Sequence, residues 1–174
     1  MDIEATSLNA SFGFMLAYCI KRHGGETLKR LITPKEISTL AFDKRLCAQF
    51  LEDLDQFDRL ITYYGTGYDV PFLRTRCLSH GLGFPPMGTL FHTDAYYAVR
   101  HKLKLHSGRL EAACTFFGIP SKSTKLDPGV WRNAQAGCTK SLNHILAHNV
   151  EDVECLESLW NILQGHTKIN KRSL

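Results

Sequence analysis

A chain of 174 residues, 44% hydrophobic and 22% charged, has the composition of an ordinary globular protein and the length of one domain with a sizeable core. No apolar run approaches the ~18 residues of a membrane span and no basic-then-apolar leader is present, so a soluble cytoplasmic protein is expected, in the host cytoplasm if the chain is phage-encoded. The net charge of +4 is a mild bias toward polyanions, and six cysteines without a C-x-x-C pair speak against a disulfide framework or a zinc site.

The chain opens on Asp2-Ile3-Glu4. Side chains alternate along a strand, so Asp2 and Glu4 share one face while Ile3 points into the opposite layer. Only Met1 precedes this pair, so the strand is truncated against the usual length of about five or six residues. Its first carboxylate is expected to hang on a fraying terminus, with weak metal affinity unless upstream residues or a partner strand complete the sheet. Phe12 to Ile20 is nearly continuous in apolar residues, and Gly24-Gly25 separates it from Thr27 to Ile32, which predicts a hairpin whose first arm is buried on both faces.

Thr33-Pro34-Lys35-Glu36 has capping-box spacing and predicts a short helical turn. Leu46, Cys47, Phe50, Leu51, Leu54 and Phe57 recur at helical spacing behind Asp43, the expected cap. Leu60 to Tyr64 predicts a strand broken by Gly65 and Gly67, and Tyr68 to His80 a helix ending at Gly81. Thr89 to Thr93 predicts another strand, with Asp94 capping a helix from Ala95. A helix from Gly108 to Phe117 stops at Gly118, Pro120 to Pro128 is a loop, and Trp131 lies on a short helix. The last helix spans about Lys140 to Leu163, with an apolar stripe through Leu142, Ile145, Val153, Leu156 and Trp160. Residues 1–166 therefore form the domain, and 167–174 a basic tail expected to fray. A hairpin followed by alternating helices and strands predicts a three-layer α/β sheet of mixed direction, in which ligands gather at strand ends.

Acidic residues stand at several of those ends. Asp69 follows a strand at the start of a helix, where a carboxylate also serves the helix dipole. Asp152 lies four residues after His148, so the two project from one helix face. Each alone is ordinary surface chemistry, and Asp2 with Glu4 alone is often a solvated strand face. Together the four carboxylates form a joint pattern that chance supplies far less often. Carboxylates in one small volume repel unless a cation sits between them, and hard divalent cations take oxygen ligands.

At these residues the chain resembles the DEDD 3′–5′ exonucleases of the ribonuclease H-like (DnaQ-like) superfamily. Asp-Ile-Glu-Ala-Thr-Ser-Leu is similar to the first motif, Tyr-Tyr-Gly-Thr-Gly-Tyr-Asp-Val-Pro-Phe-Leu to the second, and His-Asn-Val-Glu-Asp-Val to the third. His92-Thr93-Asp94 and the stretch Arg109 to Pro120 resemble a bacterial and phage branch of ribonuclease H-like exonucleases. The resemblance implies an α/β ribonuclease H-like fold, a mixed five-stranded sheet with helices on both faces. It implies that Asp2, Glu4, Asp69 and Asp152 hold two Mg²⁺ or Mn²⁺ ions, Asp2 bridging them, Glu4 and Asp152 completing one, and Asp69 serving the other through water. The implied reaction is hydrolysis at a nucleic-acid 3′ end. The family's tyrosine branch places Tyr four residues before the last Asp and its histidine branch places His five before; this chain has His148 at the tyrosine spacing, as candidate general base.

Thr6, Leu8 and Phe12 follow the first motif and suit a grip on the terminal nucleotide, although Leu8 and Phe12 equally suit the core. Lys122 and Lys125 are candidate phosphate contacts, with Arg74, Arg76, Arg100, Lys102 and Arg132 as further cations. The expected activity is a metal-dependent 3′–5′ exonuclease on single-stranded DNA or RNA, DNA favoured. The alternatives are a nucleic-acid-binding module with weak or no catalysis and a structure-specific endonuclease.

Overall fold

Strand β2 (Met15–Lys21) is the spine of the molecule, because Met15 through Ile20 are apolar and buried on both faces of the strand. The computed structural model describes residues 1–120, 123–167 and 173–174. β1 (Asp2–Ala5) and β3 (Thr27–Leu31) flank β2 in an antiparallel sheet, with Ile3 opposite Tyr18 and Ala17 opposite Leu31. Gly24 turns the β2–β3 hairpin with φ +68°, a region that costs residues bearing a Cβ.

α1 (Pro34–Ser38) starts with the expected capping box: Glu36 N–H donates to Thr33 Oγ1 at 3.2 Å and Thr33 N–H to Glu36 Oε2 at 2.8 Å. α2 (Lys44–Leu54) follows and brings Phe50 edge-on to the Tyr18 ring, at 5.4 Å between centroids. Asp43 stands at the N-cap position of α2 but makes no side-chain cap bond, contrary to the sequence expectation. Its carboxylate turns inward instead. It accepts Met15 N–H at 2.8 Å, Arg76 Nη2 at 2.7 Å and a bond with His80 Nε2 at 2.8 Å. A half-buried guanidinium attracts the carboxylate more strongly than an exposed helix terminus does.

β4 (Arg59–Thr62), α3 (Asp69–Ser79) and β5 (Phe91–Asp94) make a parallel crossover, with Leu60 paired to His92. The expected five strands are thus present but divided into a three-stranded and a two-stranded sheet. Across the seam the Met1 ammonium donates to Ile61 O at 2.8 Å. Met1 is only 5% exposed, so the terminus expected to fray is docked, and burial lowers its ammonium pKa. β1 is four residues long, and Met1, just before it, makes this bond to β4.

α4 (Ala95–Lys102), α5 (Leu110–Phe116) and α6 (Pro128–Gln135) precede the long α7 (Thr139–Leu163). The first half of α7 places Leu142 and Ile145 in the core that includes β1 and β2, and its second half joins Leu156, Leu159 and Trp160 to Ala95, Val99, Ala113 and Cys114. α7 thereby bridges both clusters, with Asp152 between its two apolar stretches. Among the described residues no cysteine is joined in a disulfide. Among the described residues no helix is long and apolar enough to cross a membrane. Much of the tail lies outside the described residues, but Ser173 bridges to Phe91 and Leu174 N–H donates to Leu90 O at 3.0 Å, so its last two residues dock beside β5 rather than fray.

Candidate metal centre

Asp2 and Glu4 leave β1 on one side, Asp69 opens α3, and Asp152 sits on the middle of α7. The turn after β4 decides where Asp69 falls. A Cβ at Gly65 would stand 2.4 Å from Thr62 Oγ1, so only glycine permits the chain to fold back there. Asp94 caps α4 as expected, accepting Tyr96 N–H at 3.1 Å, and also accepts Tyr64 N–H at 2.7 Å and Thr66 N–H at 2.9 Å, which pins the turn. Asp69 Oδ1 then accepts Ile3 N–H at 3.1 Å and couples α3 to β1 between Asp2 and Glu4.

The four carboxylates line one cleft of about 500 Å³, whose walls include Leu8, Tyr64, Tyr68 and Leu110. Glu4, His148 and Asp152 each offer a donor atom, all within 4.8 Å of one another. His148 Nε2 lies 3.3 Å from Asp152 Oδ2, and its Nδ1 lies 2.8 Å from Thr124 Oγ1. Thr124 is held in turn by Glu151, to which its hydroxyl donates at 2.5 Å and its N–H at 3.1 Å. Asn149, wholly buried, donates from Nδ2 to Asp2 Oδ2 at 2.6 Å, while its Oδ1 has no partner among the described residues.

Burial, then the charges of Asp69, Asp152 and Glu4, raise the Asp2 pKa well above the ordinary carboxylate range, against the Met1 ammonium. Asp69 is pushed up to about 7, chiefly by burial, despite the Ile3 N–H that favours its charged form. Anionic oxygens held together out of water are costly, and a divalent cation removes that cost.

The model of the RNase_H_2 family, described as RNase_H superfamily, matches residues 1–164. This chain belongs to the RNase_H superfamily. Among solved structures, the family B DNA polymerase from the hyperthermophilic archaeon Pyrobaculum calidifontis matches with a TM-score of 0.76, over 94% of this chain at 18% identity. That likeness is one of fold, and the chain spans 24% of the polymerase chain. No curated protein matches.

The donor set of this RNase_H-superfamily domain fits a hard divalent ion. It offers carboxylate oxygens and one imidazole, no thiolate, and it carries negative charge in excess inside a buried cleft. The substrate candidates are distributed less evenly. Leu8 and Phe12 are 87% and 86% exposed, which removes the core alternative for both; Leu8 lines the carboxylate cleft and Phe12 does not. Thr6 Oγ1 is engaged within its own loop, accepting Phe14 N–H at 3.0 Å. Lys125 is exposed, and Lys122 lies outside the described residues. Arg76 is committed to Asp43, and Arg74 stacks over Phe84 at 5.2 Å. Sequence reasoning missed Asn149, Thr124 and Tyr64. Asn149 adjoins His148 in the third motif and was the most findable, since a polar side chain inside an apolar stripe needs a partner.

Proposed function

We propose that this domain is a metal-dependent 3′–5′ exonuclease of the DEDD type, degrading single-stranded nucleic acid, with DNA the favoured substrate. The proposal takes residues 1–166 as the exonuclease domain, with 167–174 as its basic appendage, and the motifs around Asp94 and Glu111 favour the bacterial and phage branch. The observation that carries the reading is the convergence of Asp2, Glu4, Asp69 and Asp152 in one cleft, two of them with proton affinity raised by burial.

In this reading Asp2, Glu4, Asp69 and Asp152 would hold two Mg²⁺ or Mn²⁺ ions. Such ions activate water and stabilise the leaving oxygen of a phosphodiester. Asn149 orients Asp2 by donating its amide N–H to Oδ2 of that carboxylate. Thr124 orients the His148 ring through Nδ1, which turns Nε2 toward the carboxylates, where it can receive a proton from an attacking water near neutral pH. Leu8, exposed on the cleft wall, offers an apolar face to the terminal base. Lys125, exposed next to Thr124, is a candidate phosphate contact, as is Lys122, which lies outside the described residues.

The test is degradation of 5′-labelled linear single-stranded DNA and RNA with Mn²⁺, Mg²⁺ or EDTA, comparing the native chain with Asp152→Ala. A ladder shortening from the 3′ end, dependent on metal and lost in the variant, is the expected result. Cleavage of a circular single strand would replace the exonuclease with an endonuclease. Metal-independent binding without cleavage would leave only a binding module.

A further inference from the structure

One side of the carboxylate cleft opens onto a row of aromatic rings that catalysis at the metal centre does not use. Tyr64 lines the cleft and its ring meets Tyr96 at 4.9 Å between centroids. Tyr96 meets Tyr97 at 5.3 Å, and Tyr97 lies parallel to His101, 6.0 Å away with 6° between planes. The row thus leads from the mouth of the cleft along α4. Tyr64 and Tyr97 are 48% and 39% exposed, and His101 is exposed, so all three rings remain accessible from solvent.

The position of Tyr64 is specified at a cost. Its φ of 64° is a left-handed conformation unfavourable for a tyrosine, and Asp94 holds it there through the N–H groups of Tyr64 and Thr66. Gly67 makes room for the ring, because a Cβ at that position would come within 2.6 Å of Tyr64 Cζ. The charge distribution points the same way. Residues 95–110 contain Arg100, Lys102, Lys104 and Arg109 and no acidic residue, a charge equal to the whole chain's net +4. Tyr97, Arg100 and His101 stand at i, i+3 and i+4 on one face of α4, so a cation sits beside the open rings.

We infer that Tyr64, Tyr97 and His101, with Arg100, form a track for the single strand 5′ of the nucleotide held at the metal centre. Successive bases stack on the rings while phosphates lie against Arg100 and its basic neighbours. Stacking of this kind accepts any base and requires the strand to be unpaired, which would make the track a selector for single-stranded ends. The inference rests on the nucleic-acid reading of the cleft but concerns binding outside it.

The experiment is equilibrium binding in EDTA, by fluorescence anisotropy, of a labelled oligothymidylate long enough to leave the cleft, a dinucleotide, and a duplex of the same length as the oligothymidylate. Against the native chain stand Tyr97→Ala, Arg100→Ala and the double variant, each checked for an unchanged melting temperature; all altered side chains are solvent-exposed. Tyr97→Ala should weaken oligothymidylate binding about tenfold and leave the dinucleotide unchanged. Arg100→Ala should flatten the dependence of affinity on salt. Native affinity in the double variant overturns the track, as does failure of the native chain to bind the oligonucleotide, or equal affinity for the duplex. Track-dependent binding without any cleavage would refute the exonuclease and leave the track standing, whereas normal cleavage with unaltered binding would do the reverse.

Discussion

Two buried carboxylates, Asp43 and Asp69, are 0% and 3% exposed and yet titrate in opposite directions. Burial pushes both up. At Asp43 the hydrogen bonds from Arg76, Met15 N–H and His80 outweigh it and the pKa falls. At Asp69 the backbone N–H groups of Ile3 and of Asp69 itself, with the Met1 ammonium, do not, and the pKa climbs to about 7. Asp43, Cys47 and His80 also bring donor atoms within 4.8 Å of one another, but the Arg76 guanidinium already bonds both Asp43 oxygens, at 2.7 Å and 2.9 Å. The fold therefore neutralises one carboxylate from within, as a clamp between β2, α2 and α3. It leaves the other, with Asp2, in a site whose charge balance improves when a cation arrives. That contrast separates a carboxylate whose charge the fold compensates from one whose charge it leaves uncompensated.

The largest effect expected from breaking this comparison lies at the clamp. Asp43→Ala leaves the Arg76 guanidinium half-buried and unpaired, and should cost about 3–5 kcal/mol, read as a lower urea midpoint. Asp69→Asn in EDTA should lower the midpoint little or raise it, because it removes a charge that burial disfavours. Equal losses at the two positions would abolish the distinction.

The pH dependence of stability sharpens it. Asp69 has a folded pKa of about 7 against an ordinary value of 3.8, so between these values the folded state binds more protons than the unfolded one. Without metal its contribution, and that of Asp2, makes the protein less stable as pH rises through about 7. Asp43, with a lowered pKa, contributes stability that is present above 3.8 and is lost as pH falls through its folded value. Melting curves in EDTA should therefore show stability falling from mildly acidic to mildly alkaline pH, and saturating Mn²⁺ should flatten or reverse that slope. A slope identical with and without Mn²⁺, or unchanged in Asp69→Asn, would contradict the assignment.

The smallest effect belongs to Asn149. Its amide holds Asp2 at 2.6 Å while its own Oδ1 lacks a partner among the described residues, so Asn149→Ala should change stability by roughly 1 kcal/mol or less. Mn²⁺ affinity by calorimetry should drop several-fold, because Asp2 then loses its fixed orientation. Unchanged affinity would reduce Asn149 to a packing residue.

What this sequence determined by itself is local. The unbroken apolar run of β2, the capping box at Thr33 and Glu36, and the glycine stops after α3 and α5, with φ +72° at Gly81 and +68° at Gly118, placed nearly every element, because each signal acts within a few residues. The order of the four carboxylates was also legible, since it is read directly along the chain. Tertiary structure alone decided the rest. The inward turn of Asp43, the seam bridged by Met1 and Ile61, and the bonds of Asn149 to Asp2 and Thr124 to His148 join residues far apart in the chain. The exposure of Leu8 and Phe12 and the left-handed pose of Tyr64 follow from what surrounds them. Periodicity records which face of an element is apolar; it carries no record of which polar group waits opposite once the elements close on one another.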